Sequence, residues 1–369
     1  MQKLEPIWQN LPFFFKSQVV ENLDYKDRCC LRKCSKADLY LVDSSPNRLD
    51  SIAINTYENY SFLSWSDTGK TVYTVKYYKN CGETDLRLEF SAAPSLFIPT
   101  KNEKILFKKT KILQNLDPKS DDMDHVLIDF SIALKKLTCD KILIGDVILK
   151  GPHPTAHPEK TMKFRERLLN QMTSPIKAKC LYLKWGNEMD EVEEILKNFD
   201  SKTLKKLEIS DRNAFWELSK IMKMEQWKKA EKVHLEVLSD LKIDDLMHFS
   251  EIQMHVRTLE ENDLWKVIQN FITKNQHRSF FHFSYRTIDP DLQRILGTFN
   301  VPIKDEPIRA STQVRQMLER RINHTQRFPM PSPDLVLVVM IADKEVMGTV
   351  CRKDNVDVEA KVETGILRE

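Results

Sequence analysis

Five short segments that alternate apolar and polar residues recur through the second half of the chain, and nothing else in the sequence restricts its fold as strongly. They are Cys180 to Trp185, Leu204 to Ile209, Val233 to Val237, Ile252 to Val256 and Phe280 to Phe283. Period-two alternation is the mark of a strand with one buried face. Between the segments, apolar residues take helical spacing: Val192, Ile195, Leu196 and Phe199; Phe215, Leu218, Ile221 and Met222; Ile243, Leu246 and Met247; Leu264, Val267, Ile268 and Phe271. Matching strand positions, Leu181, Leu207, Leu235, Met254 and Phe281, lie 26, 28, 19 and 27 residues apart.

That period and strand-plus-helix content predict an irregular leucine-rich-repeat-like solenoid, with parallel strands joined by right-handed crossovers and a shortened third connection. If the apolar set of each strand faces the core, the alternates face an open concave side. Tyr182, Lys184, Glu208, His234, Glu236, His255, Arg257 and His282 are therefore the candidate contacts for a protein target, with Ser210 and Ser284 beside them. His234, His255 and His282 recur at similar places in three strands, and a lateral spacing of about 4.8 Å would allow a ladder. No carboxylate or Cys falls in a ligand position beside all three, so a polar binding face is preferred over a metal or catalytic site.

The chain begins differently. Leu11, Phe15, Val19 and Leu23 recur every four residues along one side of a helix, with Pro12 at its start, where a missing N–H costs nothing. Phe13, Phe14 and Val20 make a second side apolar, and a helix apolar nearly all round must be covered twice. Two further short helices start at Asp24, with Asp27 three on, and at Ser35, with Asp38 three on. Leu31, Cys34, Leu39, Leu41 and Val42 are their apolar contribution. So small a cluster cannot bury all these side chains, and the surplus predicts a surface for another chain.

Between these regions, Ser51 to Thr56, Thr71 to Tyr77 and Asp85 to Phe90 predict a small antiparallel sheet, with short additions at Leu96 to Ile98 and Ile105 to Phe107. Val126, Leu127, Phe130, Ala133, Leu134 and Leu137 are helically spaced, and a strand follows at Ile142 to Leu149. His153 and His157 sit among three prolines that forbid a common helix face, so that stretch is a loop. Val314, Met317, Leu318 and Ile322 predict a helix carrying Arg315, Arg320, Arg321 and Arg327.

Bulk properties exclude several classes. Fifty-seven basic against fifty-four acidic residues argue against nucleic acid as a partner. Seven cysteines without paired C-x-x-C spacing indicate neither a disulfide framework nor a zinc site, and no secretory signal is visible. The longest apolar run, Leu335 to Ala342, is too short for a membrane span, so a soluble cytoplasmic or nuclear protein is expected. Eight glycines do not form a phosphate-cradling loop, and Thr68 to Thr71 is better read as a turn between strands. Glu188, Asp190, Glu191, Glu193 and Glu194 open a helix, where carboxylates suit the dipole. No hydrolase, zincin or kinase motif occurs, so neither an enzyme nor a cofactor is expected.

Two resemblances follow from these residues. Leu11-Pro12, Val19, Leu23, Asp27-Arg28, Leu31-Arg32 and Cys34-Ser35-Lys36 resemble an F-box, a three-helix module that docks on the Skp-type adaptor of cullin–RING ubiquitin ligases. Phe14 stands where an acidic residue is usual, Cys34 where Val is common, and Tyr40 near a frequent Trp. The repeat, the segment Phe328 to Val338 and Arg352 are similar to the FTH domain that follows F-boxes in one large adaptor family. The resemblance implies an F-box over residues 1–46, a β region over 47–116, an FTH solenoid over 117–353 and a charged tail over 354–369. It further implies a substrate adaptor of an SCF-type ligase, with Leu11, Pro12, Phe15, Val19, Leu23 and Leu31 binding the Skp-type adaptor and cullin joining through it. The alternatives are a non-degradative scaffold or inhibitory protein on the same docking module, and a nucleic-acid-binding solenoid using Lys108, Lys109, Arg315, Arg320 and Arg321.

Overall fold

The computed structural model describes residues 7–23, 25–45, 47–56, 60–67, 71–78, 86–94, 107–113, 122–145, 158–172, 175–184, 189–216, 218–239, 241–256, 259–285, 322–342 and 345–356. Four short helices come first: α1 (Ile7–Asn10), α2 (Phe13–Glu21), α3 (Tyr25–Leu31) and α4 (Lys36–Ser44). Then come β1 (Asn47–Thr56), β2 (Ser61–Asp67), β3 (Thr71–Tyr78), β4 (Leu86–Pro94), β5 (Phe107–Leu113), α5 (Asp122–Lys136), β6 (Leu137–Gly145), α6 (Pro158–Gln171), β7 (Ala178–Lys184) and α7 (Met189–Lys197). The remainder is β8 (Lys206–Trp216), α8 (Glu225–Lys229), β9 (Lys232–Ser239), β10 (Glu251–Val256), α9 (Glu261–Lys274), β11 (Phe280–Tyr285), β12 (Ile322–Pro329), β13 (Leu335–Ala342) and β14 (Glu345–Arg352). The chain divides into two compact units: residues 1–182 with 194–203, and residues 183–193 with 204–369.

In the first unit, α2 and α3 pack on α4. Ser35 caps α4 as expected, its hydroxyl accepting from the Asp38 N–H at 3.0 Å. Strands β1 to β5 form an antiparallel meander, with Ile54 opposite Leu63, Leu63 opposite Val75 and Val75 opposite Phe90. On its other side β1 pairs in parallel with β6, Ile52 opposite Ile142, so the antiparallel strands continue into the region assigned above to the solenoid. Met123, Val126, Leu127 and Phe130 are buried where α5 meets β1, β2 and β3. Polar pins fix the same contact. Tyr77 donates to Asp129 at 2.6 Å, and burial with that carboxylate pushes its phenol far above the ordinary range. Ser61 donates to buried Asp122, also at 2.6 Å.

The second unit is built on the repeat. Strands β8, β9, β10 and β11 run parallel, with Ile209 opposite Leu235, Leu235 opposite Met254 and Met254 opposite Phe283. Leu207 aligns with Val233, Ile252 and Phe281, so the true steps are 26, 19 and 29 residues, and the expected matching of Leu207 with Leu235 is two residues out of register. Where a solenoid would add further parallel strands, β11 instead pairs antiparallel with β14, which pairs with β13 and then β12. The unit is a mixed sheet. Amphipathic α9 buries Leu264, Val267, Ile268 and Phe271, the last meeting Phe281 edge-on at 5.2 Å. Two expected helices are reduced. Phe215 continues β8, followed by a short 3₁₀ turn (Ile221–Lys223) and α8, and Ile243–Leu246 is a single 3₁₀ turn. A 19-residue step leaves room for little more than one turn between strands.

β13 is buried along its whole length, on both faces, which explains its continuous apolar run. That strand also overturns the expected arginine helix at its end: Ile322 and Arg327 lie on β12, drawn out because β13 needs a hydrogen-bonding partner on its free side. Arg315, Arg320 and Arg321 lie outside the described residues, as do His153, His157, Glu188 and the Leu96 to Ile98 segment. Among the described residues no helix is long and apolar enough to cross a membrane.

Candidate functional site

Two surfaces carry the candidate residues, one in each unit. The first is the α2–α4 pair. Successive helical residues step by about 100°, so three phenylalanines in a row cannot share one buried side. Val20, fully buried, supplies the inward side of α2, and Leu41 that of α4. Phe13, Phe14 (64% exposed), Phe15 and Val19 on α2, with Leu39 and Tyr40 (70% exposed) on α4, stand in solvent. Of the six expected docking residues, Pro12, Phe15 and Val19 are exposed, whereas Leu11, Leu23 and Leu31 are half-buried. Phe13, Phe14, Leu39 and Tyr40 join them; for Phe13 and Phe14 the signal is the run of three consecutive aromatics, which no small helical cluster can cover.

Polar groups hold this surface in place. The Trp8 indole N–H donates to Asp38 Oδ1 at 2.9 Å, tying α1 to α4, and the Ser35 hydroxyl donates to Asp38 Oδ2 at 2.7 Å. Ser35 and Trp8 together hold the Asp38 carboxyl below the usual carboxylate range. Lys16 donates to the Gln9 carbonyl at 3.0 Å, with its ammonium 5.8 Å from the centre of the Trp8 ring. What remains is a largely aromatic surface on two helices that also bear exposed Glu21 and Lys36.

The second surface is the polar side of β8 to β11. Register places Glu208, His234, Gln253 and His282 in one lateral row. His255 belongs to the next row, beside Ser284, so the three histidines share a face but do not form a straight ladder. The face is not open: Glu208 (7% exposed), Ser210, His234 (5% exposed) and Ser284 are buried. Its carboxylates are matched locally. Lys206 lies 2.6 Å from Glu208 and 3.6 Å from Glu251, and Lys232 lies 2.6 Å from Glu251. Ser210 donates to Glu236 Oε2 at 2.7 Å, His234 Nε2 is 3.6 Å from Glu236 Oε1, and Ser284 and His255 are hydrogen-bonded. His282 Nε2 is 3.5 Å from Glu345, a residue that local spacing could not point to, because β14 joins the sheet from about sixty residues on. Tyr182 is half-buried on β7, the Lys184 side chain is not described, and Arg257 lies outside the described residues. Among the described residues no three His, Cys, Asp or Glu side chains converge on a metal position.

Comparison with known proteins gives a family match that covers the helices of the first surface. A family model described as the F-box domain matches residues 8–50, and one described as the FTH domain matches residues 159–303. No curated protein and no solved structure matches the chain.

Proposed function

Taking as premise that the chain is an F-box protein with a C-terminal FTH domain, we propose that it is the substrate-recognition adaptor of an SCF-type ubiquitin ligase, binding a Skp-type adaptor through α2 and α4 and a protein target through the FTH region. The observation that carries this reading is the apolar surface of Phe13, Phe14, Phe15, Val19, Leu39 and Tyr40, exposed inside the matched F-box. Aromatic side chains of this size each bury roughly 150–250 Å² when covered, enough to drive association. Such adaptors are typical non-enzymatic proteins. Their work is to raise effective concentration, holding a target near ubiquitin-carrying enzymes that supply the chemistry.

Target contact is assigned to the half-exposed members of the polar sheet face in the second unit, Glu236, His255 and His282. Buried His234 lies beside Glu236 and helps to position it. The test is affinity purification of the full chain with the proteasome blocked. The wild type should bring down a Skp-type adaptor and cullin, and the Leu11→Ala/Pro12→Ala variant neither. Equal recovery by both would refute the docking assignment. Ubiquitin transfer to a co-purifying protein would distinguish delivery of a target from a scaffold that only docks.

A further inference from the structure

We infer that the face of the β2–β5 meander turned away from α5 is a second protein-contact surface, and that its occupant is an extended acidic segment of a partner protein. It lies outside both family matches, which cover residues 8–50 and 159–303, and it does not depend on the adaptor reading. Tyr77 points into the unit to donate to Asp129 of α5, so its neighbours on β3, Lys76 and Tyr78, take the opposite face. Register carries that face sideways: Lys76 is opposite Glu89, and Tyr78 is opposite Arg87, itself opposite Ile112 on β5. The side chains form a column. Lys76 Nζ stands 5.0 Å from the centre of the Tyr60 ring, the Tyr60 and Tyr78 rings are 5.2 Å apart, and the Arg87 guanidinium lies 4.5 Å from the centre of Tyr78. Two cations are thus held by rings before any partner arrives, which lowers the ordering cost of using them. Their charges are not equivalent. Arg87 lies 3.6 Å from Glu89, which also accepts from the Tyr78 hydroxyl at 3.3 Å, whereas Lys76 forms no ion pair among the described residues. The column therefore keeps one positive charge for a carboxylate of the partner. Ile112, apolar yet 57% exposed, stands beside Arg87, two strands along from Lys76. A lateral spacing of about 4.8 Å per strand puts the two roughly 10–12 Å apart, about three residues of an extended chain. The segment that fits carries an apolar side chain at about that distance from its carboxylate. A phosphate backbone would instead need several cations in line, and would meet Glu89 on the same face.

The probe is a short labelled peptide of Glu-Gly-Ser-Leu repeats, titrated with the full chain at about 50 and about 500 mM NaCl. Controls are a Lys-Gly-Ser-Leu peptide, a Glu-Gly-Ser-Ser peptide and an oligo-dT strand. Expected are saturable binding of the first peptide that weakens about threefold or more at high salt, a loss of about tenfold in Lys76→Glu, and losses of about threefold or more in Lys76→Met and Ile112→Ser. Lys76→Met keeps an apolar stem over the Tyr60 ring and removes only the charge, so the surface is tested even where Lys76→Glu fails to fold. The basic peptide should not bind, and the peptide without leucine should bind more weakly. Wild-type affinity in Lys76→Met, equal binding of the acidic and basic peptides, or no saturable binding of the first peptide would overturn the inference. Tighter binding of oligo-dT would assign the face to nucleic acid and overturn it as well. Binding of a Skp-type adaptor should be unchanged in these variants, so failure here leaves the adaptor reading standing, and failure of wild type to bind the adaptor leaves this inference standing.

Discussion

Helix α2 holds phenylalanine in water, while the polar face of β8 to β11 holds glutamate and histidine away from it. Both invert the usual partition of side chains, and in each case the inversion is the informative fact. An exposed aromatic cluster has no way to satisfy itself and so points outward, to a partner. Buried polar groups are best satisfied from within, as Lys206 does for Glu208 and Glu236 for Ser210. One residue type shows the contrast most clearly. Phe14 stands in solvent in the first unit, whereas Phe281 is fully buried in the second, against Phe271 and Phe283.

The largest expected effect follows from that pair. Phe281→Ala should cost about 3–5 kcal/mol in denaturant unfolding, the usual loss when a buried aromatic leaves a cavity. Phe14→Ala should cost within about 0.5 kcal/mol, because its ring stays in solvent in the free chain. Equal destabilisation by the two substitutions would erase the contrast. A smaller effect separates buried from exposed carboxylates. Glu208→Ala leaves a neighbouring ammonium without its nearest partner and should cost about 1–3 kcal/mol. Glu231→Ala removes an equally short pair with Lys205, but one held in solvent, and should cost about 0–1 kcal/mol. A Glu231→Ala loss matching that of Glu208→Ala would show that burial does not decide the value of these pairs.

The smallest effect concerns a half-buried cation held by a carbonyl rather than a carboxylate. Lys274 donates to the Phe249 carbonyl at 2.6 Å, and burial pushes its ammonium down to about 8. Between that value and its ordinary one near 10.5 the unfolded chain binds more protons than the folded chain. Stability should therefore be penalised below about pH 8 and rise as pH climbs through this window. Unfolding measured from pH 7 to 10 should show that rise in the wild type and a flatter profile in Lys274→Met. Parallel profiles would remove Lys274 as its source.

Local signals were legible in the sequence where a segment's partners were near in the chain. The Ser35 cap, the buried face of α9 and the alternation of β9 and β10 all follow from spacing alone. What escaped depended on distant strands. Register between β8 and β9 is set by the whole sheet, so spacing alone matches Leu207 to Leu235 with a slip of two residues. β12 cannot be told from a helix without β13, which needs a neighbour, and Glu345 reaches His282 only because β14 returns to β11. The exposed surface of α2 and α4 was half legible. Leucine and proline positions gave its register, but Leu11, Leu23 and Leu31 are shared with packing inside the unit, while Phe14 and Tyr40, which depart from the F-box pattern, are its most exposed members.

The central claim is that α2 and α4 present an apolar surface that a Skp-type adaptor covers. Hydroxyl-radical footprinting of the full chain, with and without that adaptor, tests it most directly, since aromatic rings in water oxidise readily and buried ones do not. In the free chain Phe13, Phe14, Phe15 and Tyr40 should be oxidised, and Phe271 and Phe281 spared. With adaptor bound, the first four should become protected while the last two do not change. Continued oxidation of Phe14 and Tyr40 in the complex would contradict the claim.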